Sequence, residues 1–345
     1  MIIFKNITFR GLMGFAGHHL VWLTACDLSV AALYYYTEFR AFTIPWIPLS
    51  VIGTAVAFYV GFKNNQAYDR SWEARKIWGA IVNSSRAWGT MVKHFVSSEF
   101  AENSLPNDQV EKLKRRIINR HIAWVYTLRS QLLTSTSWEH ITLRGHFGVY
   151  GRKMQRKFGL GLFEDEITAH NLSNYLPEDE RKAYSKYANI ATQIIDKQSG
   201  ELVALKKLNL IDDFRHMELQ KILTDLYIHQ GMAERIKKTP LPRQYANVSF
   251  IFICLFIFML PFGMISEFAR IGDWAIWLSV PFVVIVGWIY VIMELVGDYS
   301  ENPFEGLAND VPMFSLCRTI EIDLLQMMGE EKTPKPVEPK QGILM

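Results

Sequence analysis

The sequence predicts an all-α integral membrane protein with four transmembrane helices and a large helical cytoplasmic region, on three observations. Of 345 residues, 50% are hydrophobic and 13% aromatic, more than solubility requires. The apolar residues gather at 12–62 and 248–296, whereas 63–247 and 297–345 carry most of the charge. Within the apolar blocks, four runs approach the roughly 20 residues a helix needs to cross a bilayer. These are 20–36, 44–62, 248–266 and 274–295. The organisation that follows has five parts. Residues 1–62 hold the first two spans, 63–247 a cytoplasmic helical region, and 248–296 the last two spans. Residues 297–330 form a cytoplasmic helical segment and 331–345 a tail.

The opening residues MIIFKNITFRGLMGF mix charge with apolar side chains and lack a short apolar core followed by a small-residue cleavage site, so they do not read as a signal peptide. His18 and His19 precede the first span without metal-ligand spacing. Inside that span lies Asp27, a carboxylate costing about 2.5–3.5 kcal/mol on insertion scales. It must face protein or water, in a pore vestibule or in a hydrogen bond between helices. The second span runs without a Gly/Pro break into GFKNNQAYDRSWEARKIWG, residues 61–79.

Further on, Leu113, Ile117, His121, Trp124, Leu128 and Leu132 recur at helical spacing, with Lys112, Arg115, Arg116 and Arg120 largely on other faces. That spacing predicts an amphipathic helix over 110–132, with His121 a satisfied core histidine rather than a ligand. Segment 134–180 is the least regular, and its glycines form neither GxGxxG nor a P-loop. Helical patterns return at 183–199 and 201–237. Glu294 and Asp298 close the fourth span at i,i+4, placed to pair with the basic residues after the second. The tail EKTPKPVEPKQGILM is rich in Pro and Lys, which predicts disorder.

Lys and Arg fix the orientation. Lys5 and Arg10 precede the first span; Lys63, Arg70, Arg75 and Lys76 follow the second; Arg235, Lys237, Lys238 and Arg243 precede the third. The short connections 37–43 and 267–273 hold only Arg40 and Arg270. The expectation is a multi-pass protein of the cell membrane with both termini cytoplasmic. Trp22, Trp46, Trp274 and the Tyr34–Tyr36 run suit the interface. A net charge of +3 with no basic and aromatic patch argues against nucleic acid. Cys26, Cys254 and Cys317 are too scattered for a disulfide framework or zinc site. No metal, cofactor or nucleophile–base arrangement is indicated, and an enzyme is not expected.

If the second span continues as one helix to about residue 90, Ile47, Val51, Thr54, Phe58, Phe62, Asn65, Asp69, Trp72 and Lys76 share an arc of about 80°. A lipid-facing stripe should not extend into Asn and Asp. One facing a symmetry axis can, because rings of Phe make a dry constriction and rings of Asn or Asp meet hydrated ions. The alternative is ordinary packing, with Phe58 and Phe62 filling space and Asp69 paired to Lys76 or Arg70.

The segment FKNNQAYDRSWEARKIWG resembles the signature after the second span of the bestrophin channel family in its bacterial branch, F-R-N-N-x-A-Y-x-R-W-W-E-A-R-x-x-W-G. Leu128–Ser130, RIKKTPLPRQYA, ENPFEGLANDVPM and LCRTIEIDLLQMMGE extend the resemblance over both membrane blocks and most cytoplasmic helices. The resemblance implies a homopentamer in the lipid bilayer with four membrane helices per subunit and a long axial pore. It passes small monovalent ions, chloride in some relatives and sodium or potassium in others. It also implies an apolar neck of three residues at four-residue spacing, ending eight positions before the signature Arg. With that Arg at Arg70, the neck is Thr54, Phe58 and Phe62, opening into a vestibule at Asn65 and Asp69. Phe214 is the matching candidate for a second, cytoplasmic aperture.

This chain departs from the family pattern at three places. Ser71 replaces the first Trp of the pair, Thr54 makes the outermost ring wetter, and Glu305 to Asp310 replaces the acidic run that clasps calcium in animal relatives. Two separated carboxylates are poor provision for a cation wanting six to eight oxygens. A reading from another class remains open, a membrane-anchored scaffold or sensor without conduction. Lys63, Lys76 and helix N-termini would favour anions, and an Asp69 ring cations.

Overall fold

The computed structural model describes residues 1–345 apart from 7, 38–42, 99–105, 143–144, 146–147, 150 and 154–165. Its helices run in the order α1 Phe9–Ala16, α2 His18–Tyr36, α3 Trp46–Phe95, α4 Asn107–Leu133, α5 Glu166–Tyr175 and α6 Glu178–Tyr184. They continue as α7 Ile190–Lys207, α8 Asp213–Lys238, α9 Arg243–Ala269, α10 Ala275–Asp298 and α11 Met313–Met327. The protein is helical, as predicted, and among the described residues β pairing is confined to isolated bridges at the chain ends. The chain divides into two compact units, one of Phe4–Arg70 with Pro240–Glu301, the other of Met1–Ile3, Ser71–Thr239 and Asn302–Met345.

In the first unit, α2, α9, α10 and the first half of α3 meet along two apolar seams. Leu49, Val56 and Val60 of α3 pack with Ile253, Phe256 and Leu260 of α9 and Val283 of α10. Leu23 and Ala31 of α2 pack with Ile265, Ile276, Val280 and Val284. Small residues bring these helices close, the usual device where lipid removes the hydrophobic drive. A Cβ on Gly263 would collide with Leu49, and one on Gly53 with the Phe256 ring. Phe250, Ile251, Phe258, Phe282, Ile285 and Ile289 are left exposed, apolar surface of the kind lipid covers.

Three helical stretches are long and apolar enough to cross a membrane, Trp46–Phe95, Asp213–Ala269 and Ala275–Asp298, the second taking in α8 and α9. The predicted first span, α2, has 19 residues but is not among them, because His18, His19, Asp27 and three tyrosines dilute it. Asp27 lies between Leu23 and Ala31 on the buried face of α2, which argues against a vestibule role, and its Oδ2 has no hydrogen-bond partner among the described residues.

The second unit is built around α4, which is buried almost all round from Ile117 to Leu133. Ile117, Trp124, Leu128 and Leu132 lie in its core as their spacing predicts. Arg120 does not stay on an outer face. It is buried and forms a bidentate pair with Glu180 at 2.7 and 3.3 Å. Glu321 accepts from Tyr126 Oη at 2.5 Å and also from Tyr175 Oη. Both phenols are held above the usual tyrosine range chiefly by burial, then by Cys317 and Glu321 at Tyr126 and by Glu321 at Tyr175.

His121 is the core histidine its position implied. Its Nε2 meets Ser85 Oγ at 2.9 Å, and the ring lies near those of Trp88 and Trp124. Burial lowers its pKa from 6.5 to about 3. The unfolded imidazole takes a proton that the folded one refuses, so this contribution is full above pH 6.5 and is lost as pH falls toward 3. Between pH 6.5 and 5 the loss is about 2 kcal/mol at 1.36 kcal/mol per unit. The melting temperature of His121→Phe should therefore fall less than that of the wild type over this interval.

The tail departs from the predicted disorder. Residues 331–340 run without regular structure, but the last residues pair with the first. Ile3 N donates to Gly342 O at 3.0 Å, Leu344 N to Met1 O at 2.9 Å, and Ser315 N to Met345 O at 2.7 Å. Ile343 and Met345 rest on the core of this unit. The closing GILM supplies apolar burial that the Pro- and Lys-rich composition before it conceals.

Candidate functional site: an uncovered stripe on the third helix

α3 is a single helix of 50 residues, about 75 Å long at 1.5 Å per residue. The signature after the second span is therefore helix, as predicted. No proline interrupts it beyond its first turn, and Gly53, Gly61, Gly79 and Gly89 all lie within it without breaking it.

Its two sides are used differently. Leu49, Val56, Val60, Lys63 and Ala67 are buried, and at 100° per residue they cluster within about 40° of one direction. Thr54, Phe58, Phe62, Asn65 and Asp69 point the opposite way, and each is exposed. Phe58 is 67% exposed and Phe62 60%, so the subunit's own core uses neither ring. Ile47 and Val51 extend the bare stripe toward the start of the helix. Within the chain neither ring fills space between helices, as the packing alternative would have it.

The polar members of the stripe divide into satisfied and free. Thr54 Oγ1 donates to Ser50 O at 2.9 Å, so its hydroxyl proton is spent on its own helix. Asp69 forms no ion pair with Arg70, Lys76 or any other described residue. Glu73, at the edge of the stripe, pairs with Arg235 at 2.7 Å.

Lys63 does not line the stripe. It is 1% exposed and ion-paired with Glu294 of α10, whose Oε2 accepts from Ser249 Oγ of α9 at 2.7 Å. The pairing of Glu294 with a basic residue after the second span was legible from charge; the burial of Lys63 and the part of Ser249 were not. Asn64 Nδ2 donates to Met293 O at 2.9 Å. One residue before Thr54, Tyr290 Oη donates to Gly53 O at 2.9 Å.

In the other unit, Phe214 is 82% exposed in the first turn of α8, beside exposed Met217. Asp212 caps that helix by accepting from Arg215 N at 2.7 Å, and Arg215 Nη1 donates to Phe95 O at 3.1 Å. The helix start is anchored while Phe214 is held out from it.

The segment after α10 spends its carboxylates internally. Glu305 accepts from Ile141 N at 2.9 Å and lies 3.0 Å from His140 Nδ1. Asp310 Oδ2 accepts from Gly306 N and Leu307 N at 2.7 and 3.0 Å. Burial, followed by the Glu305 charge, raises the Asp310 pKa to about 7. Among the described residues no group of three or more His, Cys, Asp or Glu is arranged to hold a metal ion.

A helical membrane-type protein with this layout has known relatives. Residues 17–326 match the family described as bacterial/fungal bestrophin protein, and the chain belongs to the bestrophin family. It is 28% identical over 310 residues to the voltage-dependent anion channel-forming protein YneE of Escherichia coli, covering 86% of this chain and 85% of that one. It is 25% identical over 332 residues to the voltage-dependent anion channel-forming protein RSc3414 of Ralstonia nicotianae, covering 93% and 92%. Its fold is that of the bacterial bestrophin homologue of Klebsiella pneumoniae, with a TM-score of 0.73 at 21% identity over 91% of this chain and 99% of that one.

Proposed function

We propose that this protein is a homopentameric channel of the cell membrane that passively conducts small monovalent ions through a pore lined by α3. Thr54, Phe58 and Phe62 form its gating neck, Asn65 and Asp69 its vestibule, and Phe214 a cytoplasmic aperture. Both termini are cytoplasmic. The observation that carries this reading is the bare stripe of α3, facing directly away from the side the subunit packs. A stripe that is apolar at one end and acidic at the other suits neither lipid nor water along its whole length. Around a cyclic axis each position becomes a ring, dry at Phe58 and Phe62 and wet from Asn65 onward.

Anion conduction is supported by the relatives, which are named voltage-dependent anion channel-forming proteins. A cation-conducting pore is the second reading, and one observation favours it. Lys63 is neutralised by Glu294, so Asp69 is the first ionisable group on the stripe below the neck. Purified protein in a planar bilayer between asymmetric NaCl solutions should show unitary conductance, and the sign of its reversal potential decides between the readings. Absence of unitary currents, with a native mass other than five chains, would return the protein to the scaffold class.

A further inference from the structure

Lys63 and Glu294 touch no ion under this reading, yet they are buried together immediately after the last ring of the neck. We propose that Lys63, Glu294 and Ser249 are positioning residues, a latch that fixes the rotation of α3 and so the width of the neck at Phe62. This inference rests on the neck reading.

Lys63 follows Phe62 directly, so the two side chains leave the helix about 100° apart. When Lys63 is held, the ring has little angular freedom. The hold is unusually complete. Glu294 takes Lys63 on one oxygen and Ser249 on the other, so one carboxylate ties α3, α9 and α10 together. Asn64 adds its bond to Met293 O, and only a glycine at 297 leaves room, since a Cβ there would collide with Asn64 Oδ1. At the opposite end of the neck, Tyr290 of the same α10 holds Gly53 O. The three neck residues therefore lie between two anchor points on one neighbouring helix.

An apolar contact would also hold the helices together, but it would tolerate gradual rotation. A buried ion pair does not, because separating the charges leaves each unpaired in a low-dielectric interior. The latch thus has two states, paired and broken, which suits a neck that is either closed or open.

The experiment uses the full chain in liposomes and planar bilayers, with E294Q, K63M and the swap K63E/E294K, each made in the wild-type neck and in T54A/F58A/F62A. Native mass and elution identical to the wild type establish assembly. In the wild-type neck, E294Q and K63M should change open probability by about 5–150-fold, the usual range of coupling between sites. The swap should return it toward the wild-type value. In the widened neck, none of the three should alter flux. If the widened neck raises flux while E294Q and K63M gate like the wild type, the latch is wrong and the neck stands. If the widened neck itself leaves flux unchanged, the neck reading fails and takes the latch with it. Should the single variants not assemble, K63M/E294M keeps volume without charge. Altered open probability in that variant supports the latch, and wild-type gating overturns it.

Discussion

Basal ion flux through the purified protein in liposomes should rise at least about tenfold when Thr54, Phe58 and Phe62 are all replaced by Ala, since a barrier reduction of only 1.36 kcal/mol gives that factor. The two Phe rings occupy exposed positions in the subunit, and Thr54 bonds only to its own helix. Truncating them removes no side chain from the seam formed by Leu49, Val56 and Val60. The variant should accordingly fold and assemble like the wild type, and its phenotype should lie in conduction. A dry constriction resists ions because they must shed water where nothing replaces it, and three alanines widen it enough to stay wet. Native mass separates a leaky pore from a disrupted one. Unchanged flux in an intact assembly would place the constriction elsewhere, with Phe214 the next position to test.

Much of this site was legible because helical period and charge act locally. The stripe from Ile47 to Asp69 follows from 100° per residue, and the absence of a breaker after Phe62 is visible in the letters. His121 was readable as a core residue for the same reason, being in phase with Ile117, Trp124 and Leu128. What could not be read depended on partners far along the chain. Lys63 looks like any basic residue flanking a span until Glu294, 231 positions later, is seen beside it. Arg120 likewise looks like an outer-face charge until Glu180 covers it. The tail misled through composition, since four closing residues outweigh the prolines and lysines before them. Asp27 was correctly singled out as anomalous: it is buried beside Leu23 and Ala31, and its Oδ2 lacks a partner among the described residues.

Asp69 should govern selectivity, and Asp69→Lys should move the reversal potential by several tens of millivolts toward the anion side. An ideally selective pore under a tenfold gradient reaches about 59 mV of one sign or the other. In water, one charge about 7 Å from a passing ion contributes about 0.6 kcal/mol, and five in the proposed ring about 3 kcal/mol. Salt with a screening length near 8 Å at 0.15 M removes part of this. About 1.2 kcal/mol remains, and because the ring attracts a cation by that much and repels an anion by as much, the difference of about 2.5 kcal/mol exceeds the 1.4 kcal/mol needed for a tenfold change in preference. Among the described residues no ion pair diverts the Asp69 carboxylate, and Lys63 cannot oppose it because Glu294 already holds that charge. Asp69→Asn should give an intermediate potential, and the separation between the two variants should shrink as salt is raised. The comparison also tests the orientation of α3 below the neck. If Asp69→Lys conducts with the wild-type reversal potential, Asp69 does not face the ions, and the vestibule must be lined by another side of the helix.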